Sequence, residues 1–155
     1  MELFDGRYLF VLNSPDKFDP DLPLSKSKAC GGTMIMWKTN FDPFITVLPT
    51  CTPALLPILF HPPGVVSTIH ICLYLPTAGH DHQFIEELSN LSSTVDGLIQ
   101  SCPTSSLYIH GDINVGDRNK KRKTLYSSLL HSLCLTETNI NHPTYHNFIG
   151  HGQSD

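Results

Sequence analysis

Asp112 and Asn114 stand two residues apart in Gly-Asp-Ile-Asn, at the end of the run Leu107–Asn114. A carboxylate beside an amide suits phosphoester cleavage. The carboxylate can orient or deprotonate an attacking water, and the amide can donate to a phosphoryl oxygen as charge builds there. In the residues just before them, Leu107 and Ile109 alternate with Tyr108 and His110, the two-residue period of a strand with one buried face. Gly111 then permits a bend or a close approach of the backbone. If the extended conformation continues to Asn114, both polar side chains point the same way. Gly, Asp and Asn are also the commonest turn residues, so on its own the tetrapeptide reads first as a plain turn.

The rest of the chain supplies elements that can position this turn. Gly6–Leu12 predicts a strand, and Asn13–Lys28, with Pro15, Pro20 and Pro23, a surface loop. Ala29–Gly32 leads tightly into a strand at Thr33–Lys38. Phe44–Leu48 is a further strand, closed by Pro49. Pro53–Pro63 is proline-rich and predicts irregular backbone. Val65–Leu75 is the longest strand candidate and stops at Pro76. Phe84, Leu88, Leu91, Val95 and Leu98 then repeat at helical spacing, with Asp81 as N-cap and Pro103 beyond the end. A second helix is expected from Lys121 to Leu133, with Leu125, Leu129 and Leu133 on one face and Leu130 beside them. Asn141–Phe148 is polar and aromatic. Strands followed by helix, strand and helix define an α/β protein with helices flanking sheets.

A length of 155 residues predicts one domain with room for a core. Apolar content of 40% against 15% charged fits a soluble globular chain. The net charge of −4 excludes a protein that is basic all over, yet five of its ten Lys and Arg lie in Arg118–Lys123. Such a cluster reads as a local contact with a polyanion or as a solvated loop. Cys30, Cys51, Cys72, Cys102 and Cys134 are irregularly spaced and odd in number, so neither a disulfide framework nor a zinc signature emerges. A reducing compartment follows. The first residues lack the pattern of a signal peptide, and no apolar run approaches a membrane span. Nuclear or cytoplasmic residence, away from membranes, is expected.

Three stretches together resemble the endonuclease/exonuclease/phosphatase family, which includes AP endonucleases, pancreatic-type DNases and the endonuclease domains of non-LTR retrotransposons. Cys30-Gly31-Gly32-Thr33-Met34-Ile35-Met36 resembles its Gly-Gly start of a core strand. Leu73-Tyr74-Leu75-Pro76-Thr77-Ala78-Gly79 resembles its Tyr-x-Pro turn before a long helix. Gly111-Asp112-Ile113-Asn114 resembles its Gly-Asp-x-Asn motif. Pro143-Thr144-Tyr145-His146 is similar to a segment of the retrotransposon branch. The resemblance implies part of a four-layer α/β sandwich, two packed and mostly antiparallel sheets flanked by helices, incomplete at both ends. It implies metal-assisted hydrolysis of a phosphodiester, in DNA, by a monomer using Mg²⁺ or Mn²⁺. Asp112 would align or activate water, Asn114 would hold the phosphoryl group, and Tyr74 would lie at the rim of the phosphate pocket. Thr144 would contact the substrate backbone, and Arg118, Lys120, Lys121, Arg122 and Lys123 would grip flanking phosphates with salt-sensitive affinity.

The chain also departs from that family. The family's metal-ligating Glu and the Asn before it have no counterpart, and Glu2 lies too near the start to match. The late Asp and the terminal Ser-Asp-His are absent, although Gln153-Ser154-Asp155 is superficially similar. The chain therefore reads as an internal fragment with an incomplete Mg²⁺ site. His110 is expected to be an ordinary strand residue, not a substitute for the missing His. Three other readings compete. His80-Asp81-His82, or His142, His146 and His151, could ligate zinc, although Pro143 argues against the helix this needs. The fold could persist as a catalytically dead nucleic-acid-binding or interaction module. It could also act on an inositol phosphate or lipid head group, since fold does not fix substrate.

Overall fold

A computed structural model describes residues 7–13, 32–115 and 119–137. In chain order the elements are β1 (Tyr8–Asn13), β2 (Thr33–Lys38), a 3-10 helix (Thr39–Phe44), β3 (Ile45–Val47), β4 (Leu55–Phe60), β5 (Thr68–Tyr74), α1 (Asp81–Ser101), β6 (Ser106–Asp112) and α2 (Lys120–Ser132). β1 and β2 form an antiparallel two-stranded sheet, and the other strands form a second sheet in the order β3-β4-β5-β6. Neighbours in the larger sheet are antiparallel except β5 and β6, which run parallel. Parallel neighbours need a crossover, and α1 supplies it.

Side-chain alternation along β5 organises the layers. Ile69, Ile71 and Leu73 are buried, while His70 and Cys72 on the opposite face are half-buried. The buried face meets α1, whose predicted stripe of Phe84, Leu88, Leu91, Val95 and Leu98 is buried in full. Each such side chain contributes about 1.5–3 kcal/mol by leaving water. The opposite face meets the two-stranded sheet. Asn13 Nδ2 donates to the carbonyls of Thr52 (2.9 Å) and Leu55 (3.0 Å), and Thr33 Oγ1 donates to Pro53 O at 3.2 Å. These bonds fasten the small sheet to the start of β4. Among the described residues, the layers are therefore helices, four strands and two strands, a mixed α/β architecture.

Several boundaries and one whole element differ from the sequence expectation. Pro53–Pro63 is not irregular: Leu55–Phe60 is an interior strand with Leu55–Ile58 buried. Pro57 is tolerated because β3 pairs only with Ile58–Phe60. Beyond β3, Leu48 N–H donates to Pro57 O at 3.0 Å, so the missing proline N–H falls past the end of the neighbouring strand. β5 begins at Thr68, leaving Val65 and Val66 exposed before it. Asp81 opens α1 instead of capping it, and the cap position is His80. In α2 the buried residues are Arg122 and Tyr126, whereas Leu125 is exposed and Leu129, Leu130 and Leu133 are partly buried. Among the described residues no helix is long and apolar enough to cross a membrane.

Candidate functional site

The parallel pairing sets Tyr74 beside Asp112 at the carboxyl ends of β5 and β6. This is where ligands gather on α/β sheets, because the loops that leave the strands converge there. Leu75 N–H donates to Asp112 O at 2.8 Å and carries the pairing one residue further. Gly111 makes this approach possible. A Cβ at that position would lie 1.8 Å from Leu73 O, and its φ of +142° is open only to glycine. The Gly in Gly-Asp-x-Asn thus answers to close backbone contact between neighbouring strands.

The extended conformation does not reach Asn114. β6 ends at Asp112, and Asn114 adopts a left-handed φ of 51°. Asn114 Nδ2 donates to Leu75 O at 2.7 Å. One of its two amide N–H groups is thereby committed to holding the turn against the end of β5. Asp112 is exposed at the surface, and Tyr74 is half-buried.

Arg122 takes a role opposite to the one expected. Its side chain is not at the surface for phosphates; the residue is 1% exposed. Nε and Nη2 donate to Asp81 Oδ1 at 2.8 and 2.7 Å, Nη1 donates to Pro76 O at 2.5 Å, and Nη2 to Thr77 O at 3.0 Å. The guanidinium lies 4.4 Å from the Phe84 ring centroid. A planar fork with five donors is the side chain able to tie a turn, a helix start and an aromatic face at once. Asn119 begins α2 as its cap, its side chain accepting from Arg122 N–H at 3.2 Å. Lys120, Lys121 and Lys123 remain exposed on α2. Arg118 and Thr144 lie outside the described residues, as do Glu2, His142, His146 and His151.

A second polar group sits on the cleft face of the sheet. His70 Nδ1 and His110 Nε2 are 3.2 Å apart, and His70 Nε2 is 3.0 Å from Thr68 Oγ1. Tyr108 and His110 both stack against His70 with nearly parallel rings. Burial, and then the neighbouring His110, lower the His70 pKa from its usual range. His110 is a strand residue, as expected, and it pairs with His70 across the two strands. The sequence holds one signal for it: Thr68, His70 and Cys72 alternate on one strand, as Tyr108 and His110 do on another.

Among the described residues no three His, Cys, Asp or Glu side chains converge on a point that could hold a metal. At the turn Asp112 offers one carboxylate. A Mg²⁺ ion demands an octahedron of oxygens and is commonly held by one or two carboxylates plus substrate phosphates. The described residues do not by themselves complete such a site. His80 and His82 flank Asp81, whose carboxylate is engaged by Arg122. Comparison of the chain with protein-family models, with curated proteins and with solved structures finds no match.

Proposed function

We propose that this chain is a phosphodiesterase domain of the endonuclease/exonuclease/phosphatase type, acting on DNA as the retrotransposon endonucleases do. The observation that carries this reading is the placement of Tyr74 and Asp112 side by side at the carboxyl ends of two parallel strands. Asp112 orients or deprotonates the attacking water. Tyr74 reaches the phosphate or the leaving group with its hydroxyl. Asn114, tied to Leu75, holds the turn and has its remaining amide N–H for a phosphoryl oxygen. Lys120, Lys121 and Lys123, with Arg118 and Thr144, hold flanking phosphates. In this reading a second helical layer completes the four-layer sandwich, and a Mg²⁺ or Mn²⁺ ion supplies Lewis-acid stabilisation of the phosphoryl charge.

One observation favours a second reading, a DNA-binding module without turnover: the described residues place a single carboxylate at the turn. Nicking of supercoiled plasmid in Mg²⁺, with EDTA and Asp112→Ala controls, separates the two. Metal-dependent nicking that Asp112→Ala abolishes supports the enzyme. Salt-sensitive DNA binding without nicking supports the module. A folded chain that neither nicks nor binds DNA rules out both. If the lysines contact phosphates, replacing all three by Ala lowers the slope of log K against log salt by about 2–3.

A further inference from the structure

The His70–His110 pair lies on the same two strands as Tyr74 and Asp112, further from the strand ends, and its proposed role does not depend on phosphodiester cleavage. We propose that these two imidazoles form a binding site for one borderline transition-metal cation of the Zn²⁺, Co²⁺ or Ni²⁺ class, open on one side to the cleft between the sheets. His70 Nδ1 and His110 Nε2 are 3.2 Å apart. A cation about 2.0–2.1 Å from each nitrogen would subtend an angle of about 103° there, near tetrahedral. Two neighbouring strands fix the backbones that carry the two rings, and the rings are already nearly parallel at 12°. Each ring must turn so that its lone pair leaves the nitrogen–nitrogen line by about 38°, and both then meet on one point.

The proton bookkeeping is also favourable. In either tautomer a single proton lies between the two nitrogens, donated by one ring and accepted by the other. A bound cation takes that position, and the displaced proton moves to the other nitrogen of its own ring. Both ligands remain neutral imidazoles, the form that binds metal. Thr68 Oγ1, 3.0 Å from His70 Nε2, is placed to accept the N–H that this leaves on His70. Metal-bound histidines commonly have such an outer partner, which fixes the ring and its tautomer.

The surroundings define the rest of the coordination. Cys72 lies opposite His110 in the strand register and lines the same cleft. No third His, Cys, Asp or Glu among the described residues, Cys72 included, completes a cluster with the two histidines. Two positions therefore remain for water or an incoming donor. They face a cleft of about 500 Å³ bounded by Met34, Met36, Trp37 and Phe60. A hard cation that prefers oxygen does not suit this site, whereas imidazole suits zinc, cobalt and nickel.

The test is titration of the metal-free chain with Ni²⁺ or Co²⁺, followed by NMR of the histidine rings, and with Zn²⁺, followed by calorimetry. Stoichiometric paramagnetic ion should broaden the His70 and His110 ring signals first, and millimolar Mg²⁺ should not displace it. Exchange of either residue (His70→Ala or His110→Ala) should remove one equivalent of Zn²⁺ binding, and Thr68→Val should weaken it about 10-fold. Calorimetry that shows unchanged Zn²⁺ stoichiometry and affinity in folded single-His variants would overturn the proposal. So would wild-type His70 and His110 signals that stay sharp while other histidines broaden, a readout that needs no variant.

Discussion

Replacing Arg122 with Met tests whether this residue serves the fold or a phosphate. Methionine keeps most of the apolar stem in its place between α2 and Phe84, and it removes every donor. The bonds to Pro76 O and Thr77 O are each worth about 1 kcal/mol net. The contact with Asp81 adds about 1 kcal/mol at most, because that carboxylate's side chain is 58% exposed and water replaces the lost partner. The guanidinium over Phe84 contributes about 1–2 kcal/mol in its desolvated setting. Relief from burying a charge offsets part of this. A net loss of about 2–3 kcal/mol is expected for Arg122→Met, measured as a shift of the urea midpoint at constant m-value. Lys121→Ala, on the exposed face of the same helix, should stay within about 0.5 kcal/mol. An Arg122→Met protein as stable as the parent, but weaker in DNA binding, would refute the clamp and restore the phosphate role.

Other outcomes follow from single positions. Gly111→Ala should cost about 3 kcal/mol or more, or prevent folding, because its Cβ would meet Leu73 O. By contrast Gly97→Ala, a helical site with nothing within 4 Å of the added atom, should raise stability by about 0.5–1 kcal/mol in the same unfolding assay. The Tyr126 pKa is raised, first by burial and then by Glu137. Its folded pKa lies above the unfolded value of about 10, so its contribution is complete below pH 10 and is lost as pH rises toward the folded value. Tyr126→Phe should therefore flatten the fall in unfolding free energy between pH 9 and 11. Burial raises the Cys72 thiol pKa, so a thiol reagent at pH 8 should label exposed Cys51 and Cys134 well before Cys72.

Periodicity made much of this architecture legible. The α1 stripe and the alternation in Leu107–His110 needed only local rules, since both elements bury one face against a single neighbour. β4 was not legible, because Pro57 looks like a breaker until the length of β3 is known. That length is a property of the neighbouring strand. The core face of α2 was legible only in part, for a related reason: Leu129, Leu130 and Leu133 pack against the core, but Leu125 is exposed. A leucine row predicted the core side, but Asp81, Pro76 O and Thr77 O made burial of Arg122 favourable, and those partners lie more than forty residues away. Whether extended backbone continues to Asn114 was left open by the turn-forming Gly-Asp-Ile-Asn, and the residue takes a left-handed conformation with its amide on Leu75 O, a partner 39 residues away. Asp112 and Tyr74 were placed more readily, because a strand's end can be read from its alternation and a following turn.

The ties around the Asp112 turn share one further property. Asn114 reaches back 39 residues to Leu75, and Arg122 reaches back 41 to Asp81 and 46 to Pro76. All of them close nearly the same loop, the one that contains α1 and β6. Closing a loop of that length costs about 3 kcal/mol of chain entropy. The first tie bears that cost, and the others then form within a loop already shut. The turn and the start of α2 should therefore lock and release as one cooperative unit. In amide exchange, Leu75 N–H and Lys123 N–H, far apart in the chain, should open with the same free energy.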